Sequence, residues 1–206
     1  MKQILCVLLI ILYCSSISAK TGIEFGLNAN SSWSDNDYLK NPEGWGLSVS
    51  KSINDRISVR LSFNRYTSDF KYFGVMSFGF PPPEADTTTE IISSKARIHF
   101  YEITANYGIH NGNKFRVDIG GGFGKSNPKL TLTGEQTYSM MSNDDGQALI
   151  ILSFDVTIKE LIYKNTDLRI GYNHREATYG AKATDSFYPF DELSLSSINI
   201  NLIARF

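Results

Sequence analysis

The chain ends Ile198-Asn199-Ile200-Asn201-Leu202-Ile203-Ala204-Arg205-Phe206. Counting back from the aromatic terminus, Phe206, Ala204, Leu202, Ile200 and Ile198 take every second position, with Asn199, Asn201 and Arg205 between them. Side chains of a strand point alternately to opposite faces, so this period of two describes a strand with one apolar and one polar face. The same period recurs upstream at Ile23-Phe25-Leu27-Ala29, Trp45-Leu47-Val49, Ile57-Val59-Leu61-Phe63 and Tyr101-Ile103-Ala105-Tyr107-Ile109. It continues at Phe115-Val117-Ile119-Phe123, Ile150-Leu152-Phe154-Val156-Ile158 and Leu168-Ile170-Tyr172. Eight such segments and no helical stripe predict an all-β chain.

The connections alternate in length. Short polar turns at 52–55, at Asn111-Gly112-Asn113 and near 164–167 join the second to the third, the fourth to the fifth and the sixth to the seventh segments. Asn-Gly is a strong hairpin signal. The connections at 31–43, 68–95, 125–147 and 175–192 are long. Short turns on one rim and long loops on the other is the layout of a transmembrane barrel, and an even strand number puts both termini on the short-turn side.

The start of the chain suits export. Lys2 precedes an apolar run from Ile4 to Tyr13, and small residues lead to Ala19, the expected cleavage point. Ten apolar residues are too few to cross a bilayer as a helix. Residues 1–19 are therefore read as a signal peptide and 20–206 as one β-barrel domain. Both cysteines, Cys6 and Cys14, lie in the signal, so the mature chain has neither a disulfide framework nor thiol chemistry. Tyr13 occupies the place where lipoprotein processing at Cys14 would need a small residue. A formal charge of −1 excludes nucleic acid as an expected partner.

Alternation alone does not say which face looks inward. A soluble barrel holding an apolar ligand turns its apolar face in, and a membrane barrel turns it out. The polar face here carries Glu24, Arg60, Glu102, Arg116, Asp118, Asp155, Arg169 and Arg205, mixed with Ser, Thr, Asn and Gly. It holds acids and bases in equal number and uses Arg rather than Lys, the choice suited to enclosed ion pairs. Gly120, Gly122 and Gly124 on the same face would weaken an outward-facing strand. The polar face is expected inside, as an interior network.

On these residues the chain resembles the small eight-stranded outer-membrane barrels of Gram-negative bacteria, the OmpA/OmpX architecture. The opening Gly22-Ile23-Glu24-Phe25-Gly26-Leu27-Asn28 looks like the first strand of the outer-membrane β-barrel domain proteins common in Bacteroidota. The resemblance implies an eight-stranded antiparallel up-and-down transmembrane β-barrel in the outer membrane. It further implies that Ile198, Ile200, Leu202, Ala204 and Phe206 form the signal read by the barrel assembly machinery. The other partners expected are periplasmic chaperones during export, and outer-membrane lipid and lipopolysaccharide. The architecture hosts adhesins, shielding proteins and enzymes alike, so it does not name an activity.

Three features could carry function. The interior charges could line a narrow pore or form a satisfied plug. An eight-stranded interior is just wide enough for side chains to fill, which favours the plug. His174, Glu176, Ser194 and Ser196 stand near one rim and could serve a lipid A-modifying hydrolase, since some small outer-membrane barrels are such enzymes. Leu193 and Leu195 lie in one phase and Ile198 onward in the other, which predicts a bulge near Ser196-Ser197. The region 68–95 holds Phe70, Tyr72, Phe73, Phe78 and Phe80 before Pro81-Pro82-Pro83, either a surface for contacts outside the cell or an aromatic belt on extended strands. Tyr179, Phe187, Tyr188 and Phe190 invite the same two readings. No cofactor or metal is expected, because Gly120 to Gly124 has strand spacing without a following helix. The leading expectation is a non-enzymatic barrel that carries surface loops, serving envelope integrity or surface contacts.

Overall fold

A computed structural model of the chain describes residues 22–35, 39–74, 90–133, 147–178 and 192–206. The eight strands are β1 (Ile23–Ser34), β2 (Leu39–Ser52), β3 (Ile57–Gly74), β4 (Glu90–Asn111), β5 (Phe115–Thr133), β6 (Gln147–Tyr163), β7 (Thr166–Thr178) and β8 (Glu192–Arg205). Each pairs antiparallel with its sequence neighbours, and β1 closes on β8 from Glu24 opposite Arg205 to Ser34 opposite Leu195. The result is the all-β, up-and-down barrel that the alternation predicts. Closure removes both sheet edges, so no row of backbone donors and acceptors is left to face lipid.

Local chemistry sets the short-turn rim. The Asn54 side-chain oxygen accepts from the backbone N–H groups of Arg56 and Ile57, at 2.9 and 2.8 Å. Gly112 N–H donates to the Phe115 carbonyl at 2.8 Å and tightens the Asn111-Gly112-Asn113 turn. Asn165 takes φ 71°, a left-handed conformation that Asn tolerates better than most residues. Phe206 N–H donates to the Ile23 carbonyl, which brings the end of the chain beside β1 at this same rim.

Phe25, Leu61, Ile103, Phe123, Ile150 and Ile200 all point outward, Phe123 with 67% of its surface exposed. So large an apolar surface is stable only against lipid. At about 3.4 Å per residue and a tilt of about 40°, the run from Ile198 to Phe206 spans about 21 Å, close to the apolar band of an outer-membrane barrel. The lower and middle interior is polar, with Asn28, Ser50, Asn106, Asp155 and Asn201 all buried. A soluble barrel with an apolar ligand cavity does not fit this distribution.

The far rim departs from the sequence reading in two ways. First, the ladder continues where loops were expected. The connection placed at 31–43 shrinks to 35–38, and β3 and β4 stay paired up to Gly74 opposite Glu90. Second, there is no bulge at Ser196-Ser197, since β7 and β8 keep one register from Thr178–Glu192 to Thr166–Ala204. Leu193, Leu195, Ser197 and Asn199 all face inward in one phase. What changes along the strand is the filling of the barrel, not its phase. Above the apolar band the interior holds Tyr66, Ile98, Phe100, Leu149, Ile151, Leu193 and Leu195 as a packed core. At the same level the outward positions become Thr67, Asp69, Lys95, Arg97 and Glu176. The barrel is apolar-out within the band and apolar-in above it, because there its outside meets water.

Glycines Gly122 and Gly124 serve close approach rather than interior space for long side chains. A Cβ at Gly122 would overlap the Ile103 carbonyl oxygen, and one at Gly124 that of Tyr101. Both are backbone atoms of β4, so bare glycines let these two strands coil tightly enough to close a narrow barrel.

Candidate functional site

The interior network is built from residues far apart in sequence that the register brings to one level. Arg60 Nη2 on β3 lies 2.6 Å from Asp155 Oδ2 on β6, and Arg169 Nη2 on β7 lies 2.8 Å from Glu24 Oε2 on β1. Arg116 Nε on β5 reaches Asp118 Oδ1 at 2.8 Å and also approaches the Ser58 hydroxyl. Seven of the eight charged residues assigned to the polar face lie inside the barrel. The eighth, Arg205, is at the short-turn mouth, where it pairs with Asp167 at 3.0 Å and Glu160 at 3.3 Å.

Glu102 takes a partner that the sequence reading missed. Arg175 Nε donates to Glu102 Oε1 at 2.5 Å, while Glu102 Oε2 accepts from Asn64 at 2.9 Å and Ser62 at 3.0 Å. Arg175 also donates to Ser197 Oγ at 2.7 Å. Its guanidinium carbon sits 5.5 Å from the ring centres of both Tyr66 and Phe100. It thus joins the polar lower filling to the apolar upper core. The sequence reading starts a long connection at Arg175, yet this residue continues the inward phase of Arg169, Gly171 and Asn173, and that phase is the available signal.

Asparagines fill the space between the ion pairs. Asn30 donates to Asn28 at 2.8 Å, and Asn201 donates to Asn199 at 2.6 Å. A gap of about 20 Å³ bordered by Asn28, Arg60, Asn64 and Glu102 has room for about one water molecule.

A second cluster lies on the outside, at the upper edge of the apolar band. His174 Nδ1 is 3.0 Å from Ser196 Oγ, and His174 Nε2 is 3.0 Å from Glu176 Oε1. The Tyr172 hydroxyl is 3.1 Å from the same serine oxygen, and Trp33 packs against the Tyr172 ring at 6.1 Å. With the proton on Nε2 held by Glu176, Nδ1 can accept the Ser196 proton, the order of a hydroxyl activated by an oriented imidazole. Ser194 stands apart and donates to Asp35 Oδ2 at 3.2 Å. Among the described residues no group of three or more His, Cys, Asp or Glu is placed to hold a metal ion.

The remaining predicted residues fall in two groups. Ile198 and Ile200 are exposed on β8 and Leu202 and Phe206 partly so, while Ala204 is buried between its ladder partners Phe25 and Thr166. Phe206 meets the Phe25 ring edge-on at 5.4 Å. Phe70, Tyr72 and Phe73 belong to the extended end of β3, opposite Ser94, Ile92 and Ile91. Phe78, Phe80, the three prolines, Tyr179, Phe187, Tyr188 and Phe190 lie outside the described residues, as do residues 1–21.

Comparison with known proteins agrees with this geometry. The family model described as outer membrane protein beta-barrel domain matches residues 4–206. Among curated proteins, none matches the sequence. Neisserial surface protein A has a similar structure, with a TM-score of 0.59 and 11% identity over 89% of this chain and 96% of that one. The outer membrane protein OprG of Pseudomonas aeruginosa gives 0.55 and 8% identity over 92% and 98%. The attachment invasion locus protein Ail of Yersinia pestis, solved with the heparin analogue sucrose octasulfate, gives 0.50 and 16% identity over 89% and 96%. At such identities these likenesses establish the fold.

Proposed function

Because the chain belongs to the outer membrane protein beta-barrel domain family and hence to the outer membrane, we propose that it is a closed, non-enzymatic barrel that holds surface segments outside the cell. The observation that carries this is the filled interior. Three buried arginines, Arg60, Arg169 and Arg175, and the half-buried Arg116 each meet a carboxylate, and the apolar core closes the barrel above them. In this reading residues 1–19 direct export, and periplasmic chaperones deliver the chain. The alternation ending at Phe206 is read by the barrel assembly machinery. The extended upper ends of β3 and β4 stand on the outer side, where the barrel serves envelope integrity or contacts with an external partner. Reconstituted in planar bilayers, the protein is expected to give no current steps above background. Stable unitary steps would overturn the closed-barrel reading and make it a pore.

A second reading rests on Ser196, His174 and Glu176. A hydroxyl, an imidazole and a carboxylate in hydrogen-bonded sequence at the edge of the lipid band are the parts of an ester hydrolase acting on lipid A. The backbone around Ser196 is engaged in the ladders of β8 with β1 and β7, and the Tyr172 hydroxyl, 3.1 Å from Ser196 Oγ, is a donor at hand for a developing oxyanion. Mass spectrometry of lipid A from cells carrying the wild type or Ser196→Ala separates the readings. Identical acylation is expected of the non-enzymatic barrel. Loss of an acyl chain that depends on Ser196 would instead assign the hydrolase.

A further inference from the structure

We propose that the short-turn mouth of the barrel binds a small zwitterion, a short peptide with both ends free, whose carboxylate meets Lys159 and whose ammonium meets Asp55. A cavity of about 560 Å³ opens at this mouth. Its volume lies within the range of small-molecule sites. Arg116, Thr157 and Arg169 stand side by side on β5, β6 and β7 along its wall, and Arg169 reaches across to Glu24. These residues are the lowest layer of the filled interior, so a ligand can enter the mouth but not pass through the barrel.

Most charged side chains around the cavity already have partners. Arg169 meets Glu24, Arg116 meets Asp118, and Arg205 meets both Asp167 and Glu160. Lys159 and Asp55 also line the cavity, and neither makes an ion pair among the described residues. The Lys159 ammonium is held by neutral oxygens, 2.7 Å from Asn111 Oδ1 and 2.8 Å from the Gly112 carbonyl. These contacts fix where the positive charge stands and leave it uncompensated. Asp55 is exposed, and its neighbour Arg56 donates instead to the Tyr107 hydroxyl at 3.2 Å.

Asn111 sets the two residues side by side. Its Oδ1 accepts from Lys159, and its Nδ2 donates to the Asp55 carbonyl at 3.2 Å. The two charges thus stand on either side of one carboxamide. An extended dipeptide spans about 7 Å between its end groups, the scale of that gap. A ligand with one charge of each sign compensates both residues, whereas a bare anion would meet Glu24, Asp55 and Asp167 on the same walls. The rim of short turns and chain ends faces the periplasm in outer-membrane barrels, so the ligand is a water-soluble molecule of that compartment.

The test uses the full barrel in detergent, with alanyl-alanine, its C-terminal amide and its N-acetyl form as probes, read by saturation-transfer NMR titration. The wild type is expected to bind the free dipeptide about tenfold more tightly than either blocked form, as the loss of one charge-assisted hydrogen bond implies. Lys159→Gln should erase the advantage over the amide and keep that over the N-acetyl form. Asp55→Asn should do the reverse. Lys51→Gln, on the outer face of β2, should keep both preferences. Heat-modifiable gel mobility verifies that each variant is folded. Equal binding of the three probes by the wild type, no saturable binding of the free dipeptide, or unchanged preferences in both cavity variants would overturn the proposal.

Discussion

Replacing Arg175 by alanine is expected to lower the stability of the barrel by about 3–5 kcal/mol, the loss typical of breaking one side of a buried ion pair. Arg175 is only 1% exposed. Its removal strands the Glu102 carboxylate inside the barrel, with Asn64 and Ser62 as its remaining donors. It also opens a void beneath Tyr66 and Phe100, which now pack against the guanidinium. Urea unfolding in lipid vesicles, followed by tryptophan fluorescence, measures the change. The double variant Arg175→Met, Glu102→Gln should recover most of the loss, because no unpaired charge is then buried. If Arg175→Ala shifts the midpoint no more than a surface substitution does, the pair is not the junction of the two interior layers.

A lysine at Ile200 is expected to destabilise by about 2–4 kcal/mol, whereas a lysine at Thr67 should change stability by less than about 0.5 kcal/mol. Both positions point outward and both are exposed. They differ in what lies opposite. Ile200 is near the middle of the apolar band, where a charge must be drawn out of water into hydrocarbon. Thr67 is in the upper section, where neighbouring outward positions already hold Arg97 and Asp69 and the inside holds the apolar core. Equal penalties at the two sites, measured in the same vesicles, would mean that the lipid boundary does not fall where the polarity of the barrel inverts.

That inversion also explains which parts of the molecule were legible in the sequence. Within the band every strand obeys one rule, apolar out and polar in, and runs such as Ile57-Val59-Leu61-Phe63 announce it directly. Above the band the rule reverses, so Ile98 and Phe100 on β4 and Leu193 and Leu195 on β8 sit in the inward phase. Read with the rule of the band, those residues look like a slipped register or a loop. Hence the alternation rule of the band ends the strands too early and predicts a bulge at Ser196-Ser197 that the β7–β8 register does not contain. The candidate hydrolytic cluster was legible as residue types near one rim. That His174 lies within 3.0 Å of both Ser196 and Glu176 follows from the β7–β8 register and from the shared face of residues two apart on β7.

The strand number, the phase of each strand through the band, the short-turn rim and the closed antiparallel order are all legible in the chain's own patterning. These depend on period-two patterning and on turn residues such as Asn54 and Asn111-Gly112, which act within a few positions of one another. That Arg175 neutralises Glu102 across 73 residues, that Arg60 meets Asp155 across 95, and that His174 meets Ser196 across 22 is visible only in the folded barrel. Such pairings depend on the register between strands and on the curvature that closes the barrel. Both are set by close approaches such as that of Gly122 to β4, which no single strand encodes alone.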